Sequence, residues 1–241
     1  MKFDQHFLIN EEVLKKVLKV AGLKKSDTIF EIGPGKGVLT LELAKYVKKV
    51  IAIEIDTSQK IENLPKNVEF IYGNALNKLS HYKFNKIISN IPYSISEPLL
   101  KKLTKLDFDQ AVLMVGETFY KILLDEKTKL SQIAEIFFKI EKIAEVSKDS
   151  FNPPPKTKSV ILRIKKRGSN LNKKDKIIKE FILQDDKKVK NALIYSFIRV
   201  NGLTKKQARE KIYELNLPPK IYEKNVDYLS NRQFGLILKV L

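Results

Sequence analysis

The chain has 241 residues, 43% of them hydrophobic, enough for one domain of ordinary size and a small appendage. It contains no cysteine and only two histidines, His6 and His81, which excludes disulfides and Cys-based zinc sites and gives no expectation of a bound metal. Lys and Arg number 46 against 28 Asp and Glu, a formal +18, and such an excess attracts polyanions, nucleic acid first among them.

No run of eighteen apolar residues predicts a membrane span, and the first ten residues lack the apolar stretch of a secretory signal. The expectation is a cytoplasmic protein without a membrane partner. Residues 11–21 repeat apolar positions at helical spacing (Val13, Leu14, Val17, Leu18, Ala21) and predict an amphipathic helix. Short apolar, β-branched runs then predict strands at 28–32, 49–56, 68–72, 86–90, 111–115 and 159–165. Helical patterns fall between them at 37–46, 97–106 and 130–143. This alternation predicts an α/β fold, a doubly wound, mainly parallel sheet with helices on both faces.

The run Asn152-Pro153-Pro154-Pro155 interrupts any regular element before the last strand. Residues 165–176 are polar and basic, include Gly168, Ser169 and Asn170, and read as a linker. From about Asp175 only helical patterns remain, with apolar groups at Ile177, Ile178, Phe181 and Ile182, then Val189, Leu193, Ile194 and Phe197, then Ile212, Leu215 and Leu217. Two domains are therefore expected: a sheet domain over 1–167 and a small all-helical domain over 168–241.

The first predicted strand runs into Gly33-Pro34-Gly35-Lys36-Gly37, and the second ends in Ile53-Glu54-Ile55-Asp56. A glycine turn between strand and helix lets backbone approach a nucleotide closely, and an acid about twenty residues on can accept from ribose hydroxyls. These features alone leave nicotinamide and S-adenosylmethionine cofactors both open. Glu31, two residues before the first glycine, suits an ammonium group better than a diphosphate, which favours S-adenosylmethionine.

The fourth strand ends in Ser89-Asn90-Ile91-Pro92-Tyr93. The adenine N6 amine is a poor nucleophile because its lone pair is delocalised into the ring. The Asn90 side-chain oxygen and a nearby carbonyl, Ile91 the candidate, could accept both N6 hydrogens and stabilise charge developing on nitrogen. Pro92 has no N–H and stiffens the turn, and Tyr93 offers a flat face for a base. A plain strand-ending turn is the alternative for this tetrapeptide, weakened by the glycine loop and acid that precede it.

In this order the motifs resemble those of the ribosomal RNA adenine N6,N6-dimethyltransferases of the KsgA/Erm type, over most of the chain. Asp4-Gln5-His6-Phe7-Leu8 resembles the family's N-terminal segment, which implies that His6 and Leu8 contact the cofactor. The stretch 31–37, with Glu31, Gly33 and Gly35, resembles its glycine motif, Glu54 its ribose acid and Asn90–Tyr93 its catalytic tetrapeptide. Phe151-Asn152-Pro153-Pro154-Pro155-Lys156-Thr157-Lys158-Ser159 resembles a further element, which implies that Phe151 closes over the flipped adenine opposite Tyr93. The resemblance implies a class I, Rossmann-like methyltransferase fold and S-adenosyl-L-methionine as cofactor. It also implies a helical rRNA-binding domain at the C-terminus.

The small-subunit branch of archaeal type is the nearest resemblance. It implies a monomer that dimethylates two adjacent adenines near the 3′ end of small-subunit rRNA, within an immature small ribosomal subunit, in ribosome biogenesis. Two alternatives stand beside it: an RNA-binding assembly factor of the same fold with little catalysis, and a large-subunit rRNA adenine methyltransferase. The chain departs from the family pattern at three points. Asn74 stands where an Asp usually accepts from the cofactor's adenine, Gly116 stands where a Gln is usual, and Lys224-Asn225-Val226 lacks an Arg. The loop at 125–129 is also shortened.

Overall fold

The computed structural model describes residues 5–168 and 171–241; Asp4, Ser169 and Asn170, named above, lie outside the described residues. In chain order the elements of the first part are β1 (Phe7–Leu8), α1 (Glu11–Ala21), β2 (Thr28–Ile32), α2 (Val38–Ala44), β3 (Lys49–Glu54), β4 (Val68–Tyr72), α3 (Ala75–Lys78), β5 (Lys86–Asn90), α4 (Ser96–Leu103), β6 (Gln110–Gly116), α5 (Glu117–Leu124), α6 (Lys129–Phe137), β7 (Phe138–Val146), β8 (Phe151–Asn152) and β9 (Ser159–Lys166). Five further helices follow: α7 (Lys173–Ile182), α8 (Val189–Asn201), α9 (Lys205–Glu214), α10 (Pro219–Tyr222) and α11 (Asn231–Val240).

The chain packs as two compact units, one of Met1–Ile122 with Phe138–Lys166, the other of Leu123–Phe137 with Arg167–Leu241. The sequence places a division at 167/168; in the structure residues 123–137 also pack in the second unit, and the first division falls inside α5.

The first unit is built on a seven-stranded sheet of order β4-β3-β2-β5-β6-β9-β7. Strands β4 to β6 pair in parallel, while β9 runs antiparallel to both β6 and β7. Central strands such as β3 and β6 are buried nearly end to end, as expected where helices cover both faces. On one face Leu14, Val17 and Ala21 of α1 and Leu39 and Leu43 of α2 join Val50, Ile88, Val112 and Ile161 in the core. Asn10 caps α1 by accepting from the Glu12 and Val13 amides. The chain adds strands to one side of β2 through β3 and β4, then returns to its other side with β5. This reversal opens a crevice beyond the carboxyl ends of β2 and β5, where doubly wound sheets bind ligands.

In the second unit α7 is capped by Asn172, and α9 and α11 by reciprocal Thr204/Gln207 and Ser230/Gln233 boxes. Lys129, almost wholly buried, donates Nζ to the carbonyls of Val226 (2.7 Å) and Asp227 (2.8 Å). Phe181 and Phe234 are fully buried. The helical character expected from Asp175 onward holds, beginning two residues earlier.

The structure corrects three expectations. The predicted helix over 130–143 ends at Phe137, and the chain passes directly into β7. Apolar residues at 133, 137, 140 and 144 keep helical spacing, but pairing with the eight residues of β9 wins, and β7 becomes the sheet's edge. The predicted linker over 165–176 is shorter, because β9 runs to Lys166 and α7 starts at Lys173. The strand predicted over 49–56 stops at Glu54. The two-residue strands β1 and β8 are too short to leave a periodic signal. Among the described residues no helix is long and apolar enough to cross a membrane.

Candidate active site

A cleft of about 210 Å³ lies at the carboxyl ends of β2, β3 and β5 and draws its walls from five separated stretches: 5–8, 31–39, 53–55, 73–75 and 90–95. His6, Leu8, Glu31, Gly33, Gly35, Glu54, Asn74, Asn90, Ile91, Pro92 and Tyr93, all predicted site residues, line it.

The floor is the glycine turn. Gly35 has φ +54, a conformation that disfavours a side chain, and an added Cβ would lie 2.6 Å from the Phe7 ring. Phe7 therefore lies directly on bare backbone, with Lys36 Nζ 5.2 Å from its ring centre. The Gly35 amide donates to Glu54 Oε2 (3.0 Å) and the Asp56 amide to Glu54 Oε1 (2.9 Å), so the second-strand acid is held in place by backbone. Asp56 in turn accepts from the Ser58 hydroxyl (2.7 Å), Gln5 Nε2 (2.8 Å) and the Ser58 amide (3.0 Å), which hold its carboxyl down at about 2.

Glu31 is only 2% exposed, and its Oε2 has no hydrogen-bond partner among the described residues. Burial pushes its carboxyl up to about 8 against the Thr40 side chain, which lowers it, and the neighbouring Glu54 charge adds to the rise. A buried acceptor without a donor is costly, so this position matches a ligand that brings N–H groups or positive charge. The residues present fit S-adenosylmethionine on that ground: an orphaned acid for an ammonium, a backbone-only turn, and a fixed carboxylate for ribose hydroxyls.

Asn90 closes β5 opposite Met114 of β6. Its Nδ2 donates to the His6 carbonyl (2.8 Å), which sets the amide's orientation, and Oδ1 takes no hydrogen bond among the described residues. His6 Nδ1 donates to the Pro153 carbonyl (2.8 Å). Antiparallel pairing of β1 with β8 sets Leu8 opposite Phe151 and Phe7 opposite Asn152, so the N-terminal and proline-rich motifs lie side by side. Tyr93 opens the short 3₁₀ turn Tyr93–Ile95, its ring centre 5.8 Å from that of His6.

One expected site residue is placed otherwise. Phe151 is 2% exposed and packs in the core with Leu8, Met114 and Ile161, outside the cleft; in the paired β1/β8 ribbon it is Phe151 that turns inward and Asn152 outward. Asn74 lines the cleft, but its Oδ1 accepts the Leu76 amide (2.9 Å) as the cap of α3, leaving one lone pair for a ligand. Sequence reasoning did not identify Phe7 as the cover of Gly35 or the His6 carbonyl as the partner of Asn90. Both depend on long-range placement of β1, for which spacing carries no signal.

The chain is similar to known proteins along most of its length. The family model for ribosomal RNA adenine dimethylase matches residues 1–217. A relative from Methanococcus aeolicus, named a probable ribosomal RNA small subunit methyltransferase A, is 35% identical over 99% of this chain and 92% of its own. A dimethyladenosine transferase from Plasmodium falciparum superposes with a TM-score of 0.65 at 29% identity, over 97% of each chain. The 23S rRNA methyltransferase ErmE, 17% identical, shares the fold with a TM-score of 0.60 over 98% of this chain and 99% of its own. The chain belongs to the ribosomal RNA adenine dimethylase family.

Proposed function

We propose that this protein uses S-adenosylmethionine to dimethylate N6 of adenine in small-subunit ribosomal RNA, as a step of ribosome biogenesis. The observation that carries the proposal is the Asn90 amide, oriented by the His6 carbonyl at the mouth of the cleft that also holds the orphaned Glu31 oxygen. S-adenosylmethionine, when bound, supplies a methyl group activated by a sulfonium. Glu31 would hold the ammonium group, and Glu54 would accept from ribose hydroxyls with the lone pairs that the Gly35 and Asp56 amides leave. His6, Leu8 and Asn74 would border the cofactor.

A target adenine must leave its stack to reach this site. Asn90 Oδ1 and the Ile91 carbonyl would accept its two N6 hydrogens, orienting the amine and stabilising the positive charge that develops on nitrogen. Pro92 keeps the turn rigid, and the Tyr93 ring offers the base a stacking surface. The surplus proton leaves to solvent after transfer, so no buried general base is required.

The second unit offers a separate surface for RNA. A concavity of about 880 Å³ between α8 and α9 is lined by Lys190, Lys205, Arg209, Tyr195 and Tyr213, with Lys187 Nζ 4.8 Å from the Tyr195 ring centre. Tyr213 is 68% exposed. Cations interleaved with exposed rings suit a phosphate backbone with unpaired bases. The immature small subunit as substrate, two adjacent adenines near the RNA 3′ end as target, and a monomer working in the cytoplasm complete the proposal; they rest on the family resemblance.

Incubation with labelled cofactor, digestion and mass spectrometry test the reading. Dimethyladenine is expected in immature small subunits and not in naked large-subunit RNA. Asn90→Ala should lower turnover by roughly 10²–10³-fold while sparing cofactor binding; full activity in that variant sinks the mechanism.

A further inference from the structure

Lys36 stands between two pinned glycines of the turn. Gly35 and Gly37 have φ of +54 and +81; the Phe7 ring covers the first and the Ile61 side chain the second, where an added Cβ would lie 2.7 Å away. The Gly37 amide donates to the Pro34 carbonyl (2.9 Å), which closes the turn around Lys36. The Lys36 backbone is thus fixed while its side chain stays exposed, with Nζ 5.2 Å from the Phe7 ring centre and no ion pair among the described residues. Among the described residues lining the cleft, Lys36 is the sole Lys or Arg, against the two acids Glu31 and Glu54.

S-adenosylmethionine carries its ammonium and carboxylate groups on one carbon atom. Holding the ammonium at Glu31 therefore brings the carboxylate close to a buried acid, where like charges repel unless a cation stands beside them. We propose that Lys36 is that cation, a binding and specificity-determining residue whose ammonium pairs with the carboxylate of S-adenosylmethionine. The inference rests on the assignment of Glu31 to the cofactor's ammonium made above. The Phe7 ring attracts Nζ to the rim of the cleft, so less side-chain freedom is lost when the carboxylate arrives. An RNA phosphate is the competing partner for an exposed lysine. The ring contact and the two acids favour the carboxylate, because both draw Nζ toward the cleft.

The test titrates wild type, Lys36→Gln, Lys36→Arg and Lys36→Glu by calorimetry with S-adenosylmethionine and with its decarboxylated analogue, which lacks only that carboxylate. Tm and KM for RNA are measured alongside. Lys36→Gln should weaken S-adenosylmethionine by roughly three- to ten-fold and leave the analogue bound as tightly as before. Lys36→Arg should keep most of the wild-type preference, and Lys36→Glu should shift it toward the analogue. Tm should stay near wild type throughout, because the side chain is exposed. Equal losses for both ligands overturn the inference. So does a raised KM for RNA with cofactor Kd unchanged, which assigns Lys36 to RNA phosphate instead. The expected preference in a protein that methylates no rRNA upholds the inference and sinks the proposed function; wild type that binds neither ligand sinks both.

Discussion

Glu31 couples the cleft to pH. Its carboxyl titrates near 8 in the folded chain against an ordinary 4.5, so the folded form holds a proton that the unfolded form has released at neutral pH. The stabilising effect of that raised value is complete below 4.5 and disappears as pH rises toward 8. Glu31→Gln should therefore raise the stability of the ligand-free protein at pH 7 by an amount on the order of 2 kcal/mol and flatten its pH dependence, measured by urea denaturation from pH 5 to 8. Binding a cationic ligand requires the carboxylate, so cofactor binding should release a proton at pH 7 and strengthen as pH rises toward 8. Calorimetry in buffers of different ionisation enthalpy measures that proton; a buffer-independent heat sinks the assignment. The positions of Glu31, Glu54 and Asn90 at the carboxyl ends of β2, β3 and β5 were legible in the sequence, because each stands at or next to the end of a short apolar run. Phe151 was not, because the resemblance gives no account of the β1/β8 ribbon whose pleat turns it into the core.

At the scale of elements, the buried Lys86 ammonium ties the start of β5 to the end of α1 and, through an ion pair with Asp27, to the turn before β2. Lys86 Nζ donates to Asp27 Oδ2 (2.7 Å) and to the carbonyls of Gly22 (2.7 Å) and Ala21 (3.1 Å), which satisfies all three of its donors. Burial works against the Asp27 carboxylate, but hydrogen bonds from Lys86, Asn85 and the Lys24 amide hold its carboxyl below the usual 3.8. Its contribution is present above that value and fades as pH falls through the lower folded one. Lys86→Met, which leaves Asp27 buried without its cation, should cost about 3–5 kcal/mol in chemical denaturation. A loss under about 1 kcal/mol would show that water or Asn85 replaces the cation. The parallel strands were legible because their apolar runs are short and bounded by turns. β7 was not, since Lys139, Glu141, Lys142 and Glu145 read equally as the wet side of a helix or the outer positions of an edge strand.

For the whole molecule, the net +18 predicts RNA affinity that falls steeply with salt, by roughly 10³-fold between 50 and 200 mM if six phosphates are neutralised. Lys190→Glu with Arg209→Glu should lower the slope of log affinity against log salt by about 1 to 2, with the Tm unchanged. An unchanged slope places the RNA elsewhere. The membership of 123–137 was not legible in the sequence, because α6 carries no mark of which core it will join.

That membership bears on biosynthesis. Leu130, Ile133, Ala134, Ile136 and Phe137 belong to a unit whose remaining helices are made last, so α6 leaves the exit tunnel before its covering residues have been translated. A fragment ending at 166 would retain that oily stripe permanently. It should aggregate on expression, as sedimentation would reveal, while the intact polypeptide stays dispersed.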